Sequence, residues 1–242
     1  MTFLKKRFIN KKDFFITQTY SAKKAIINNY KISEQKVFVV HNSFKSPKRI
    51  LKKINIDNKI NILALASPYI HKNLDIIPDV IKALKKLCNL DVNFHVTIPN
   101  WNENSSTKRF LRLTKEYKLE KNIINHGKVL NEDIIKLYKI CSITFIPTLF
   151  EVFSVTFLES FSFKIPVVTS NIEQTKEICG DAALYFKSMD PLDAADRILQ
   201  LHENDITRKE LINEGLKILK KYNFELVMKN HLHVLKNIIN EL

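Results

Sequence analysis

Pro147-Thr-Leu-Phe-Glu-Val-Phe-Ser-Val-Thr-Phe-Leu-Glu-Ser160 follows the apolar run Ile143–Ile146 and leads into a segment with helical spacing. A short β-type run, a polar turn and a helix start in that order are one β-α unit of a parallel sheet. In a doubly wound sheet, ligands bind outside the carboxyl ends of the strands, where such a turn lies. The stretch carries two carboxylates, Glu151 in the turn and Glu159 at the start of the helix, placed to face one cleft. Backbone N–H groups near Val155 and Thr156 have no partner inside a helix and suit a phosphate, with the helix dipole adding to the attraction. A carboxylate beside them can accept protons from two ribose hydroxyls. The same letters allow a structural reading, since Thr156-Phe-Leu-Glu159 is also a capping box in which Glu159 bonds back to the Thr156 N–H. Spacing alone favours that structural reading.

Outward from this stretch the alternation continues. Short apolar runs predict strands at 14–17, 37–40, 61–66, 92–98, 122–126, 143–146, 166–169 and 183–186. Helices are predicted between them at 21–30, 73–87, 107–117, 132–139, 156–163 and 173–178, and then in succession at 192–202, 207–220 and 224–239. The pattern predicts an α/β fold, a Rossmann-like parallel sheet with helices on both faces. The polar, basic, weakly periodic segment 44–59 is the candidate linker. It divides a piece at 1–43, too small to close a core with two strands and one helix, from a domain at 60–222 and a C-terminal helix at 223–242.

Ala66-Ser-Pro-Tyr-Ile-His-Lys-Asn73 is a second strand end followed by a helix start. Lys72 there can meet a diphosphate as a point charge, or be an ordinary solvated lysine. His71, at the end of a loop, is as readily a structural donor. The chain has only three glycines, Gly127, Gly180 and Gly215, so the G-x-G-x-x-G of dinucleotide enzymes and the P-loop are both absent, which argues against a dehydrogenase and a nucleoside triphosphatase. Cys88, Cys141 and Cys179 are far apart and form no C-x-x-C pair, and are read as core residues. His231 and His233 are two apart on a helix, point to different sides and are read as surface residues.

In 242 residues, 45% apolar, there is material for one large domain or two small ones. No stretch approaches the ~18 uninterrupted apolar residues of a spanning helix, and the lysine-rich start lacks a signal-peptide core, which predicts a cytoplasmic protein. Of the net charge of +14, residues 1–60 hold +12, fifteen Lys/Arg against three acids. Such a region can face anionic lipid at the inner side of a membrane, although a Lys-, Ile- and Asn-rich genome would give the same excess. No aromatics interleave with a basic groove and no recognition motif is present, so no nucleic-acid partner is predicted.

Taken in order, these positions resemble the retaining GT-B glycosyltransferases of the group 1 or family 4 type, which include bacterial mannosyl-, glucosyl- and galactosyltransferases. Val37-Phe-Val-Val-His-Asn-Ser43 is similar to the strand and turn that lead into the family's donor domain. His71-Lys-Asn-Leu74 resembles its diphosphate-binding lysine loop, Asn125-His-Gly-Lys128 its mid-domain strand and turn, Glu151-x7-Glu159 with Pro166-Val-Val-Thr-Ser170 its signature segment, and Ile178–Phe186 the strand that follows. The resemblance implies a donor-binding C-terminal domain with a truncated acceptor-side domain. It implies transfer of a hexose from a nucleotide diphosphate sugar to a glycan or lipid-linked acceptor, with retention of configuration, in surface polysaccharide synthesis. It also implies the roles: Lys72 on the diphosphate, with Ser67 and His71 in the same loop; Glu159 on the ribose; Glu151 facing the donor sugar and its leaving phosphate; Phe153, Ser154, Val155 and Thr156 holding sugar and diphosphate by their backbone. The chain has no Asp-x-Asp, and the resemblance then implies a metal-free reaction without a cofactor. Val152 and Ser154 stand where the family commonly has glycines, and Ser67 where an arginine often partners the lysine. With so little acceptor domain, the alternative is a truncated or split-subunit module that holds donor and acts only with a second chain.

Overall fold

A computed structural model of the chain describes residues 9–10, 12–45, 59–65, 67–88, 91–101 and 107–241. The sequence expectations for Ala66 and for most of the 44–59 linker fall outside these residues. Two parallel sheets are present among them. The smaller pairs β1 (Phe15–Thr17) with β2 (Val37–Val39) around α1 (Tyr20–Tyr30). The larger has the order β5-β4-β3-β6-β7-β8, with β3 at Lys59–Ala64, β4 at Asp91–Val96, β5 at Ile123–Asn125, β6 at Ile143–Ile146, β7 at Val167–Ser170 and β8 at Ala183–Phe186. Every pairing in it is parallel. Its helices are α2 (Ile77–Cys88), α3 (Lys108–Glu116), α4 (Asn131–Ile140), α5 (Val155–Ser162), α6 (Glu173–Cys179), α7 (Pro191–Glu203) and α8 (Asp205–Lys221), followed by α9 (Phe224–Asn240).

The strands read as they do because both faces of the sheet are covered. All four residues of β6 and all four of β7 are buried, and β6 in particular is the continuous apolar or β-branched run expected of a central parallel strand. Alternate residues of β3 face opposite layers: Ile62 and Ala64 pack with Ile77, Ile81, Phe110 and Ile198 of α2, α3 and α7. Leu63 between them packs with Leu137 and Tyr138 of α4. On that second side α5, α6 and α8 pack through Phe157, Phe161, Ile178 and Ile218. The fold is therefore an α/β sandwich with helices on both faces, and its core lies against the sheet.

The predicted helix 73–87 begins later, because Asn73 adopts a left-handed conformation (φ 52°, ψ 38°) between two short 3-10 turns at Ile70–Lys72 and Leu74–Ile76. Asparagine tolerates that region where most residues do not, and the α-helix starts only at Ile77. Cys141 and Cys179 are buried as read, whereas Cys88 is only half-buried at the end of α2. The small unit is tied to the large one through α1 and through α9. The carboxylate of Glu177 accepts from the first amides of α1, Tyr20 N–H and Ser21 N–H, and α9 returns to cover β2, burying Val227 and Val234 against Val40.

Gly215 lets α8 approach α5. A Cβ there would stand 2.7 Å from Cδ1 of Phe161, a ring only 2% exposed with no room to swing away. Gly215→Val is expected to cost about 1–3 kcal/mol through overpacking, outweighing the gain in helix propensity. A urea titration measures it, and an unchanged midpoint would mean that α8 can slide off α5.

Candidate functional site

The order of strands puts the site at the edge between β3 and β6. From β3 the chain winds outward to β4 and β5, then crosses back to β6 and winds the other way. Strand order therefore places a topological switch point between the loops after β3 and β6, where an open α/β sheet takes its ligand. The first loop carries Ser67, His71 and Lys72, the second Glu151 through Ser154, and α5 begins directly behind it.

Hydrogen bonds lock the two loops together. The His71 carbonyl accepts from Leu149 N–H at 2.7 Å and from the Thr148 hydroxyl at 3.1 Å. Thr148 is fully buried and its hydroxyl also reaches the Phe150 carbonyl at 2.9 Å. Across this joint the Lys72 ammonium donates to the Glu151 carboxylate. Both side chains are largely withdrawn from water, 20% and 12% exposed, so the pair is held rather than loosely tethered. The His71 ring stacks on Tyr69 with centroids 5.7 Å apart, and Ser67 is exposed.

Helix α5 starts at Val155 with Ser154 as its N-cap, and the Ser154 side chain makes no capping bond. The first amides at the positive end of the helix therefore have no acceptor from the cap side chain. Ser154 is buried, Val155 exposed and Thr156 half-buried, while the Phe153 ring turns away to meet Tyr222 edge-on at 5.5 Å.

The capping-box reading of Thr156 and Glu159 fails. Thr156 is already helical and Glu159 is the fifth residue of α5, beyond the first turn where it was expected. Its carboxylate accepts instead from the Tyr138 hydroxyl of α4 at 3.0 Å. Burial raises the Glu159 carboxyl above its ordinary range, and the Tyr138 bond opposes that rise. The phenol of Tyr138 is itself pushed up by burial and then by the Glu159 charge. One oxygen of Glu159 is thus held by Tyr138. Tyr138 was not singled out from the sequence, where it reads as one more apolar residue of an amphipathic helix.

Beside Glu151 lies a cavity of about 200 Å³ between α1 and the Phe150–Val152 loop, walled by Ala22, Ala25, Ile26 and Val152. A second polar group sits where β4 and β5 end. His95 Nδ1 lies 3.0 Å from His126 Nε2, and His95 Nε2 3.1 Å from Asn61 Oδ1. Burial, and secondarily His126, lower the His95 imidazole from 6.5 to about 4, and burial also lowers His126. A group that binds its proton less well folded than unfolded stabilises the fold fully above its unfolded value, and that stability is lost as pH falls from about 6.5 toward 4. Allowing for screening at the rim, the loss is expected to be about 1–2 kcal/mol. Urea midpoints at two pH values across that window, with His95→Gln as control, check it; an equal drop in the variant would assign the loss to His126 or to carboxylates instead.

Among the described residues no group of three His, Cys, Asp or Glu side chains is gathered to hold a metal ion, and no helix is long and apolar enough to cross a membrane.

The strand order, the Lys72–Glu151 pair and the helix start behind it define an open, doubly wound α/β protein with a polar cluster at its switch point, and comparison narrows that class. The sequence model described as "Glycosyl transferases group 1" matches residues 46–218; the chain belongs to that family. It is 32% identical over 99 residues to the O-antigen chain mannosyltransferase B of Escherichia coli, which covers 41% of this chain and 26% of that protein. A glycosyltransferase structure from Rickettsia africae superimposes with a TM-score of 0.78 at 19% identity, over 99% of this chain and 68% of that one. A point mutant of S. aureus TarM, in complex with fondaparinux, alpha-GlcNAc-glycerol and UDP, superimposes with a TM-score of 0.75 at 20% identity, over 90% of this chain and 43% of that one. Anabaena Alr3699/HepE in complex with UDP and glucose gives 0.76 at 14% identity, over 93% and 62%. These structures share the fold, and the chain spans about a quarter of the mannosyltransferase and under half of TarM.

Proposed function

We propose that this chain binds a nucleotide diphosphate sugar at the β3–β6 switch point and supplies the donor half of a retaining hexosyltransferase acting in surface polysaccharide synthesis. The observation that carries the reading is the Lys72–Glu151 pair that joins the loops after β3 and β6, followed directly by the uncapped start of α5, with Glu159 one turn further along that helix. In that arrangement Lys72 and the α5 amides take the diphosphate, the other oxygen of Glu159 takes a ribose hydroxyl, and Glu151 faces the sugar.

The chemistry follows from the charges. The bond between the sugar's anomeric carbon and the diphosphate oxygen breaks while the acceptor oxygen bonds to the same carbon on the same face. The acceptor's proton passes to the departing phosphate. Negative charge grows on the diphosphate, where Lys72 and the helix dipole stabilise it, and positive charge grows on the sugar ring, where Glu151 does. Neither a metal nor a cofactor is needed for these steps. The acceptor, a glycan or a lipid-linked sugar, would enter past Glu151 between α1 and the Phe150–Val152 loop, and the basic residues of the first sixty would hold the protein at an anionic, cytoplasmic membrane face.

Isothermal titration with UDP and with GDP, in the presence of a chelator, tests the reading. Saturable binding of one of them is expected. Glu159→Gln is expected to reduce the preference for the nucleoside diphosphate over its dideoxyribose analogue, whereas Tyr138→Phe, which frees the second oxygen, leaves the preference in place. Failure of both nucleotides to bind would remove the transferase reading.

A second reading is favoured by the small unit. A parallel sheet of two strands is below what covers itself from water, so the acceptor side would be completed by further polypeptide, whether of the same protein or of a second chain. In that case donor binds to the residues described but turnover needs the added part.

A further inference from the structure

A cavity of about 210 Å³ is enclosed by the 68–75 turns, the end of β4 and the start of α3. It shares no lining residue with those assigned to the donor. Its walls are specific in chemistry. Asn73 is only 6% exposed, its backbone is fixed in the left-handed region, and its side-chain amide nitrogen has no hydrogen-bond partner among the described residues. A buried N–H left unpaired costs about 1–3 kcal/mol, and an acceptor supplied from the cavity would remove that cost.

Two further polar groups face the same space. Asp75 offers a half-buried carboxyl, and Arg109 offers the N–H groups not used in its 3.5 Å contact with Asp79. Asp79 is itself fixed by the Tyr117 hydroxyl at 3.0 Å, which steadies the guanidinium. The floor is apolar, with Ile98 and Phe110 fully buried. At the mouth the Tyr69 ring is 64% exposed and stands parallel to His71, 8° between planes.

One carboxylate set against one guanidinium gives the cavity no strong net charge, which disfavours phosphates and simple ions. An unpaired amide donor, a carboxyl acceptor, a guanidinium fork and an aromatic face instead match a ligand whose hydroxyls both donate and accept and whose ring has one C–H face. The volume takes one such ring and is too small for a nucleoside diphosphate. We propose that this cavity is a saccharide subsite separate from the donor crevice, taking one neutral pyranose unit with its hydroxyls on Asn73, Asp75 and Arg109 and its C–H face on Tyr69. Such a subsite would hold a glycan chain close to the crevice, since the turn that carries Lys72 also forms its wall. It does not depend on the transferase reading, because it requires only that the chain fold as described.

The test titrates the whole purified chain with the methyl glycosides of glucose, mannose, galactose and N-acetylglucosamine, following ring protons by saturation-transfer NMR, with and without UDP. At least one glycoside is expected to bind with an affinity that UDP leaves unchanged. Asp75→Ala and Tyr69→Ala, which lie at the surface of the cavity, are each expected to weaken it about tenfold, with the thermal midpoint and UDP binding retained. Arg109→Gln gives a third variant should either of those fail to fold. Absence of binding by all four glycosides overturns the proposal. So does competition by UDP or loss in Lys72→Met, which would put the sugar in the donor crevice, and so does preferential binding of a free amino acid, which would make Asp75 and Arg109 a zwitterion clamp.

Discussion

Replacing Lys72 by methionine is expected to weaken the binding of a nucleoside diphosphate by about 10- to 100-fold while leaving the nucleoside unaffected. The size follows from losing one or two charge-assisted bonds to phosphate oxygens, each worth about 1.5–3 kcal/mol. Methionine keeps the length of the stem and removes only the charge. The substitution also strips Glu151 of its partner, leaving a carboxylate 12% exposed without a counter-charge, and a thermal midpoint lower than that of the wild type is expected on that account. Titration calorimetry with the nucleoside, monophosphate and diphosphate separates the two effects, since instability lowers all three affinities alike. Equal losses across the series would mean that Lys72 is a structural clamp between the loops after β3 and β6 rather than a phosphate ligand.

The fold was open to sequence reading because its determinants are local. The runs at 143–146 and 183–186 are apolar or β-branched and four residues long, and the strands β6 and β8 occupy the same residues. Punctuation was harder. The sequence Ile70-His-Lys-Asn-Leu-Asp75 looks like the approach to a helix, and only a backbone conformation, the left-handed Asn73, splits it into two turns and moves the helix to Ile77. The candidate site was legible as a set of residues but not as a set of bonds. Lys72 and Glu151 are 79 residues apart, so their contact is a consequence of strand order, which no short window of sequence contains. The Tyr138–Glu159 bond is of the same kind, with the added disguise that Tyr138 sits on the apolar side of α4 and is fully buried. Thr156 and Glu159 misled in the opposite direction: their spacing satisfies a capping box with Thr156 as the cap, but the cap is Ser154, two residues earlier, and that shift by itself removes the box.

Glu151→Gln separates binding from turnover in the other direction. In the structure the Glu151 carboxylate holds the Lys72 ammonium, so an incoming diphosphate must share or displace that contact and approach a carboxylate of its own sign. Removing the charge frees Lys72 and removes the repulsion. The variant is therefore expected to bind the nucleoside diphosphate more tightly, by about 1 kcal/mol or roughly fivefold. Turnover should move the opposite way. If Glu151 stabilises the positive charge that develops on the sugar ring, its loss is expected to lower kcat by about 10²–10³-fold, the cost of removing one preorganised group aimed at a developing charge. The rate is measured with the acceptor-side partner present where the isolated chain is inactive, and hydrolysis of the donor in the absence of acceptor gives a second readout. A variant that binds more tightly and turns over more slowly assigns to Glu151 an interaction made in the transition state and withheld from the ground state. A variant weaker in both would instead mean that Glu151 serves only to position Lys72, and the charge opposite the sugar would have to come from another residue of the crevice.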